Sequence, residues 1–289
     1  MCRAIASLNR DCEGGFMSKR VWIIGPVGID TVVYINQLPA SGSFTRPNRI
    51  VERIGGSSGN VAVALASTGI ETGFIGYVGR DNYGETVKEF FAESAVRHLH
   101  LQELEGATNH ALVMVDESGE RTIVALTDSY LSELNLNLIP ITADDIVVFS
   151  LWRPFFIDHL RYVHSLGCTT VVGLEALSDL EVTYADCAIG SEAELGGLNP
   201  RHHFDRFPRI VVTRGAGGSD EYREGSHLHQ EAIATDLLDA TGAGDSFLAG
   251  FLSIYAQGDE ELAAAMSYGA RWAAATIAHE GSLPVAPPV

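Results

Sequence analysis

The sequence predicts an α/β protein: a mostly parallel sheet flanked by helices, with a small β-sheet inserted early in the chain as a lid. Short apolar runs of strand length alternate with stretches of helical spacing along most of the chain, the order that builds parallel sheets. Two β-branched runs, at 31–35 and 50–54, flank a segment rich in Pro, Ser and Gly, which reads as a separate pair of strands. With 289 residues, 46% of them hydrophobic, the chain is long enough to bury one large core.

Taken in order, residues 21–24 are an apolar run closed by Gly25 and Pro26, a buried strand feeding a loop that holds Asp30. Gly55 and Gly56 then introduce small and apolar residues at helical spacing over 58–67, ended by Gly69. Asn60 falls in the first turn of that helix, where it either faces a ligand or, like Ser58, serves as a cap. Residues 71–78 are strand-like, and 81–94 read as an amphipathic helix with Val87, Phe90 and Phe91 on its apolar face. The runs 111–115 and 121–126 flank Asp-Glu-Ser-Gly and form a hairpin. It joins the lid, whose segments lie near 31–54 and 109–127.

Further strands are expected at 146–152, 169–174 and 187–189, with helices near 155–165 and 179–185. Ligands of open α/β sheets collect beyond the carboxyl ends of the strands. Trp152, Arg153, Glu175 and Glu194 are therefore candidates to line a cleft. The run 210–213 leads into Arg-Gly-Ala-Gly-Gly, where Thr213, Gly215 and Gly218 suit either close backbone approach to a ligand or a plain hairpin turn. Two Ala-rich helices, at 247–256 and 260–279, should cover one face of the sheet.

Asp-Ala-Thr-Gly-Ala-Gly-Asp-Ser-Phe at 239–247 carries the most chemistry. A helix starting near Ala243 leaves its first N–H groups without intrahelical partners at the positive end of its dipole, which suits a phosphate. Gly242, Ala243 and Gly244 let an anion approach the backbone. Asp245 then stands beside that anion, either to hold an attacking hydroxyl or a bridging metal, or simply to complement the dipole.

Composition narrows the field. A formal charge of −18 disfavours nucleic acid or an anionic membrane as partner. The longest apolar runs are too short to span a bilayer, and no stretch has the build of a secretory signal, so a soluble cytoplasmic protein is expected. Cys2, Cys12, Cys168 and Cys187 lack metal or redox spacing and read as thiols of a reducing compartment. His98, His100, His202, His203, His227 and His229 show no zinc pattern and read as surface residues. Residues 1–16 show no periodicity and are expected to be a flexible extension, with Met17 a candidate start.

With Gly55-Gly56 and Asn60 early, Thr-Arg-Gly-Ala-Gly-Gly late and the 239–247 motif near the end, the chain resembles the ribokinase-like, PfkB-type carbohydrate kinases from 21 to about 284. The resemblance implies a Rossmann-like kinase domain over 17–289 with a β lid, in which ATP meets a small hydroxylated substrate. It implies that Asp245 is the catalytic base, with Gly242, Ala243 and Gly244 as its anion hole. Asp30, Gly56 and Asn60 match substrate-binding positions, and Thr213, Gly215 and Gly218 match the nucleotide loop. Magnesium is implied with ATP, held through water by Glu194, and a monovalent cation such as potassium near Asp239. Two departures stand out. Ser191 replaces the Asn of the family's Asn-x-x-Glu element, and Ser57 stands where members acting on phosphorylated sugars often carry Lys. The implied activity is phosphorylation of a sugar or sugar-like hydroxyl. A nucleoside kinase with Trp152 or a lid residue stacked on the base is one alternative, and a catalytically silent sugar- or nucleotide-binding protein is another. Homodimerisation through the β-branched lid edges is a further expectation.

Overall fold

The strand β1 (Val21–Ile24) reads Val-Trp-Ile-Ile with every side chain buried, so it must lie inside a sheet covered on both faces. In the computed structural model, which describes residues 18–117, 119, 121–127, 129–258, 262–281 and 284–288, β1 pairs in parallel with β4 (Thr72–Gly79) and β8 (Ile146–Phe149). The main sheet continues through β9 (Thr169–Gly173), β10 (Cys187–Ser191) and β11 (Arg209–Thr213), all parallel. It closes in the antiparallel hairpin β12 (Ser219–Arg223) and β13 (Ser226–Gln230). At the other edge β5 (His98–Leu104) runs parallel to β4, giving the order β13-β12-β11-β10-β9-β8-β1-β4-β5. The expected extension at 1–16, Met17, Cys2 and Cys12 lie outside the described residues.

The two faces of the sheet divide β1 between them. Val21 and Ile23 pack with α1 (Ser57–Ser67), α2 (Asn82–Ala92), α5 (Ala243–Tyr255) and α6 (Leu262–Ile277). Trp22 and Ile24 pack on the opposite face against Phe149, Phe156 and Leu160, where α3 (Ile157–Ser165) lies. This alternation is the period-2 consequence of strand geometry. Among the described residues, no helix is long and apolar enough to cross a membrane.

The small sheet has the order β3-β2-β6-β7, built from β2 (Gly28–Tyr34), β3 (Arg49–Gly55), β6 (Asn109–Val115) and β7 (Arg121–Ala125). Its central pair β2–β6 is parallel and its outer pairs are antiparallel. Asp30 departs from expectation: it lies inside β2, opposite Arg53 and Ala111, and not in a loop. Only three residues separate β1 from β2, because the chain passes straight from one sheet into the other.

The helix expected at 179–185 does not form. Asp179 is occupied instead, accepting from Trp152 Nε1 at 3.0 Å and from the Glu181 N–H at 3.0 Å. The Arg206 guanidinium takes the carbonyls of Leu177, Asp179 and Val182. Acceptors committed to a side chain in this way are lost to a helical ladder, and the segment is an irregular loop after the 3₁₀ turn Leu174–Ser178. Cys168 and Cys187 are free and buried, and burial pushes their thiols up to about 11 and about 12.

Candidate active site

A cavity of about 770 Å³ lies where the small sheet overhangs the carboxyl ends of β1, β8, β10 and β11. The N-termini of α1 and α5 also open into it. Asp30, Gly56, Asn60, Glu194, Thr213 and Gly242 to Asp245 all line this one space, although they span more than 200 residues of chain.

At its floor Asp245 holds two donors. Ser57 Oγ donates to Oδ1 at 2.6 Å and Asn60 Nδ2 to Oδ2 at 2.9 Å. The cap alternative for α1 therefore falls away: Gly56 is the N-cap, without a side-chain bond, and Ser58 turns to Ser150 Oγ at 2.6 Å. Desolvation raises the pKa of Asp245, opposed by the Ser57 and Asn60 hydrogen bonds and by the Arg121 charge, and reinforced by Asp30. It is thus primed to take a proton at higher pH than an ordinary aspartate.

The start of α5 is built to stay open. Gly242, its N-cap, is left-handed at φ 81° and gives no side-chain cap, a conformation glycine adopts without strain. Ala243 N–H makes only a 3.4 Å contact to Ala240 O, and the N–H groups of Gly242 and Gly244 meet no protein acceptor among the described residues. A Cβ built on Gly244 would meet nothing within 4 Å. Asp239 secures the approach, with Oδ1 accepting from Thr241 N–H at 2.8 Å and Oδ2 from Gly281 N–H at 3.1 Å.

Asp30 projects from β2 beside Gly55, where a Cβ would fall 2.1 Å from Asp30 Oδ1. Burial raises its pKa, while Arg53 across the strand, Arg121 and His110 pull it back. Glu194 closes the opposite wall from α4 (Glu192–Leu195). Its Oε2 accepts from Ser191 N–H at 2.7 Å, and Ser191 Oγ accepts from Glu194 N–H, a reciprocal capping box. Burial raises Glu194 as well, with Glu175 and Asp245 adding to the shift. Among the described residues no set of three or more His, Cys, Asp or Glu side chains could grip a metal directly. A hydrated magnesium ion suits this donor set, since it keeps several waters and needs only one or two carboxylates.

Other expected residues behave differently. Thr213 lines the cavity and donates to Gly190 O at 3.2 Å. Gly215 and Gly218 lie in the turn beyond its wall, and Gly218 is needed for packing, since a Cβ there would sit 2.1 Å from Gln230 O. Arg153 reaches the wall and pairs with Glu175 at 3.2 Å, which stands behind it. Trp152 is 2% exposed and belongs to the core. His227 and His229 both bond Asp220, and His98 bonds Glu71, away from the cavity. Burial keeps His100 and His203 below the usual imidazole range.

Among the wall residues, Asn109, His110 and Arg121 escape the sequence reading, and Ser57 enters it only as a departure at one position. His110 contacts Thr31 Oγ1 at 2.9 Å, and Asn109 ties β6 to the main sheet through Tyr77 and Val27. The signal for Asn109 and His110 is their register against β2, and for Arg121 its register against β6.

A parallel sheet carrying this lid, with a glycine-lined helix end and an aspartate at the cleft floor, defines a ribokinase-like fold. The model of the pfkB family carbohydrate kinases matches residues 18–150 and 182–287, and the chain belongs to that family. It is 24% identical to a ribokinase of Haemophilus influenzae, covering 92% of this chain and 94% of the relative. With a fructoselysine 6-kinase of Shigella flexneri it shares 30% identity over 79% of this chain and 91% of the relative. The solved ribokinase of Giardia lamblia superposes with a TM-score of 0.80 at 18% identity, covering 93% and 96% of the two chains.

Proposed function

We propose that the protein transfers the γ-phosphoryl group of ATP to a hydroxyl of a sugar or sugar-like molecule. The observation that carries this reading is Asp245 at 2.6 Å from a hydroxyl oxygen, beside an uncapped helix N-terminus. General-base geometry requires that separation. The acceptor hydroxyl takes over the place of Ser57 Oγ on Asp245, which receives its proton. The N–H groups of Gly242, Ala243 and Gly244 stabilise charge on the transferring group. Asp30, Gly56 and Asn60 orient the acceptor, and Asp30 can take two of its hydroxyls. Thr213, Gly215 and Gly218 form the nucleotide side.

Magnesium brought with ATP supplies neutralisation of phosphate charge, and Glu194 is the carboxylate that would hold it through water. Potassium at Asp239 would have to share oxygens that already accept two N–H groups. With Trp152 buried, the nucleoside alternative loses its named stacking partner. The edge strands of the lid expose Ile50, Val51, Ile123 and Val124, the surface through which we place a homodimer. The buried free thiols agree with work in a reducing cytoplasm.

The test is ADP formation with MgATP across sugars, fructosamines and nucleosides, alongside the Asp245→Asn variant. Turnover with a sugar that the variant loses is the expected result. Silence across the whole panel would favour a binding protein.

A further inference from the structure

We propose that Ser57 is a modification site: without an acceptor in the cavity, Asp245 directs the γ-phosphoryl group of ATP onto Ser57 Oγ. This rests on the kinase reading above. Ser57 is the first residue of α1, exposed to the cavity, and its hydroxyl donates to Asp245 Oδ1 at 2.6 Å. That is the relation an acceptor must adopt, a hydroxyl within hydrogen-bond reach of its base. Its neighbour Ser58 is fully buried and bonded to Ser150 instead. Among the described residues, Ser57 is the hydroxyl that bonds to Asp245.

The surroundings favour the product. Both α1 and α5 open behind glycines of positive φ, 89° at Gly56 and 81° at Gly242, and neither has a side-chain cap. Asn60 Nδ2 on α1 ties the two helices together through Asp245 Oδ2. A phosphoryl group on Ser57 would thus lie at the first turn of its own helix and face the N-terminus of the other, where backbone N–H groups and dipoles favour negative charge.

The step balances without a further reagent. A bond forms between Ser57 Oγ and the γ-phosphorus, the bond from that phosphorus to the bridging oxygen of the β-phosphate breaks, and ADP leaves with the electron pair. The Ser57 proton passes to Asp245. A phosphoserine there fills the place of the acceptor hydroxyl, so each modified molecule is lost to turnover. Acceptor and Ser57 compete for the same carboxylate oxygen.

The protein is incubated with MgATP and no acceptor, then digested with trypsin, and the 54–80 peptide is sequenced by mass spectrometry. One phosphoryl group localised to Ser57 is expected, growing with time and suppressed by a saturating acceptor from the panel above. It is lost in Ser57→Ala and in Asp245→Asn, and the modified fraction of the wild type loses turnover in proportion. An unmodified Ser57 in protein that turns over an acceptor overturns the inference and leaves the kinase reading intact. Phosphate on Ser58 or Ser67, or labelling that survives Asp245→Asn, overturns it too. Absence of both labelling and turnover sinks the kinase reading with it.

Discussion

Two of the helix N-termini that meet at the cleft spend their backbone donors in opposite ways. At α4 the chain satisfies itself: Ser191 and Glu194 cap each other reciprocally. At α5 a left-handed glycine replaces the cap, and its donors are left for something from outside. Every helix begins with four N–H groups lacking intrahelical partners, so what distinguishes an anion site is whether the sequence supplies a polar side chain at the N-cap. In the same cleft the self-capped end leaves a buried carboxylate, and the open end leaves N–H groups with no protein acceptor among the described residues.

That contrast can be broken most severely at the open end. Asp245→Asn should lower kcat by roughly 10²- to 10⁴-fold, while ATP binding followed by calorimetry stays near normal. Gly244→Ala comes next: its added methyl meets no protein atom and suits a helix, so thermal stability should hold. Because the methyl enters the cradle, kcat/KM should drop about tenfold, less than the loss on removing an oxyanion donor outright.

At the self-capped end the effects are smaller. Glu194→Gln should raise KM for MgATP several-fold and also raise Tm near neutral pH. The sign follows from burial, which raises the folded-state pKa of Glu194, so its contribution is favourable at low pH and is lost as pH rises through that pKa. The Tm advantage of the variant should therefore vanish in acid. Ser191→Ala should cost about 1 kcal/mol of stability in denaturant titrations, and Ser191→Asn should restore it, since both polar residues cap. The mildest test is Arg121→Ala. As the proposed base Asp245 must be deprotonated, and Arg121 holds its raised pKa down, so the acid limb of the kcat/KM profile should move to higher pH.

Much of the fold was legible because its signals are local: apolar runs for strands, Gly55-Gly56 before α1, the glycine turn before α5. The centre of the candidate site was legible for the same reason, since the 239–247 motif sets a glycine turn, a helix start and a carboxylate within nine residues. What escaped depends on distant pairing. Arg206 unmakes a helix 21 or more residues upstream, Trp152 is claimed by the core through Asp179, and Asp30 is drawn into a strand by β3 and β6. Ser57 was visible as a departure from the Lys that members acting on phosphorylated sugars often carry, but its bond to a residue 188 positions away was not.

Gly55 and Asp30 also set a rule for anyone re-engineering the cavity wall. A Cβ at position 55 would come within 2.1 Å of Asp30 Oδ1, so position 55 cannot be varied while Asp30 keeps its place. A side chain at 55 displaces the carboxylate, so Asp30 must turn away or give way to a smaller residue. A library that scans each position alone would discard pairs that are viable together, and a search for new acceptors has to sample the two as one unit.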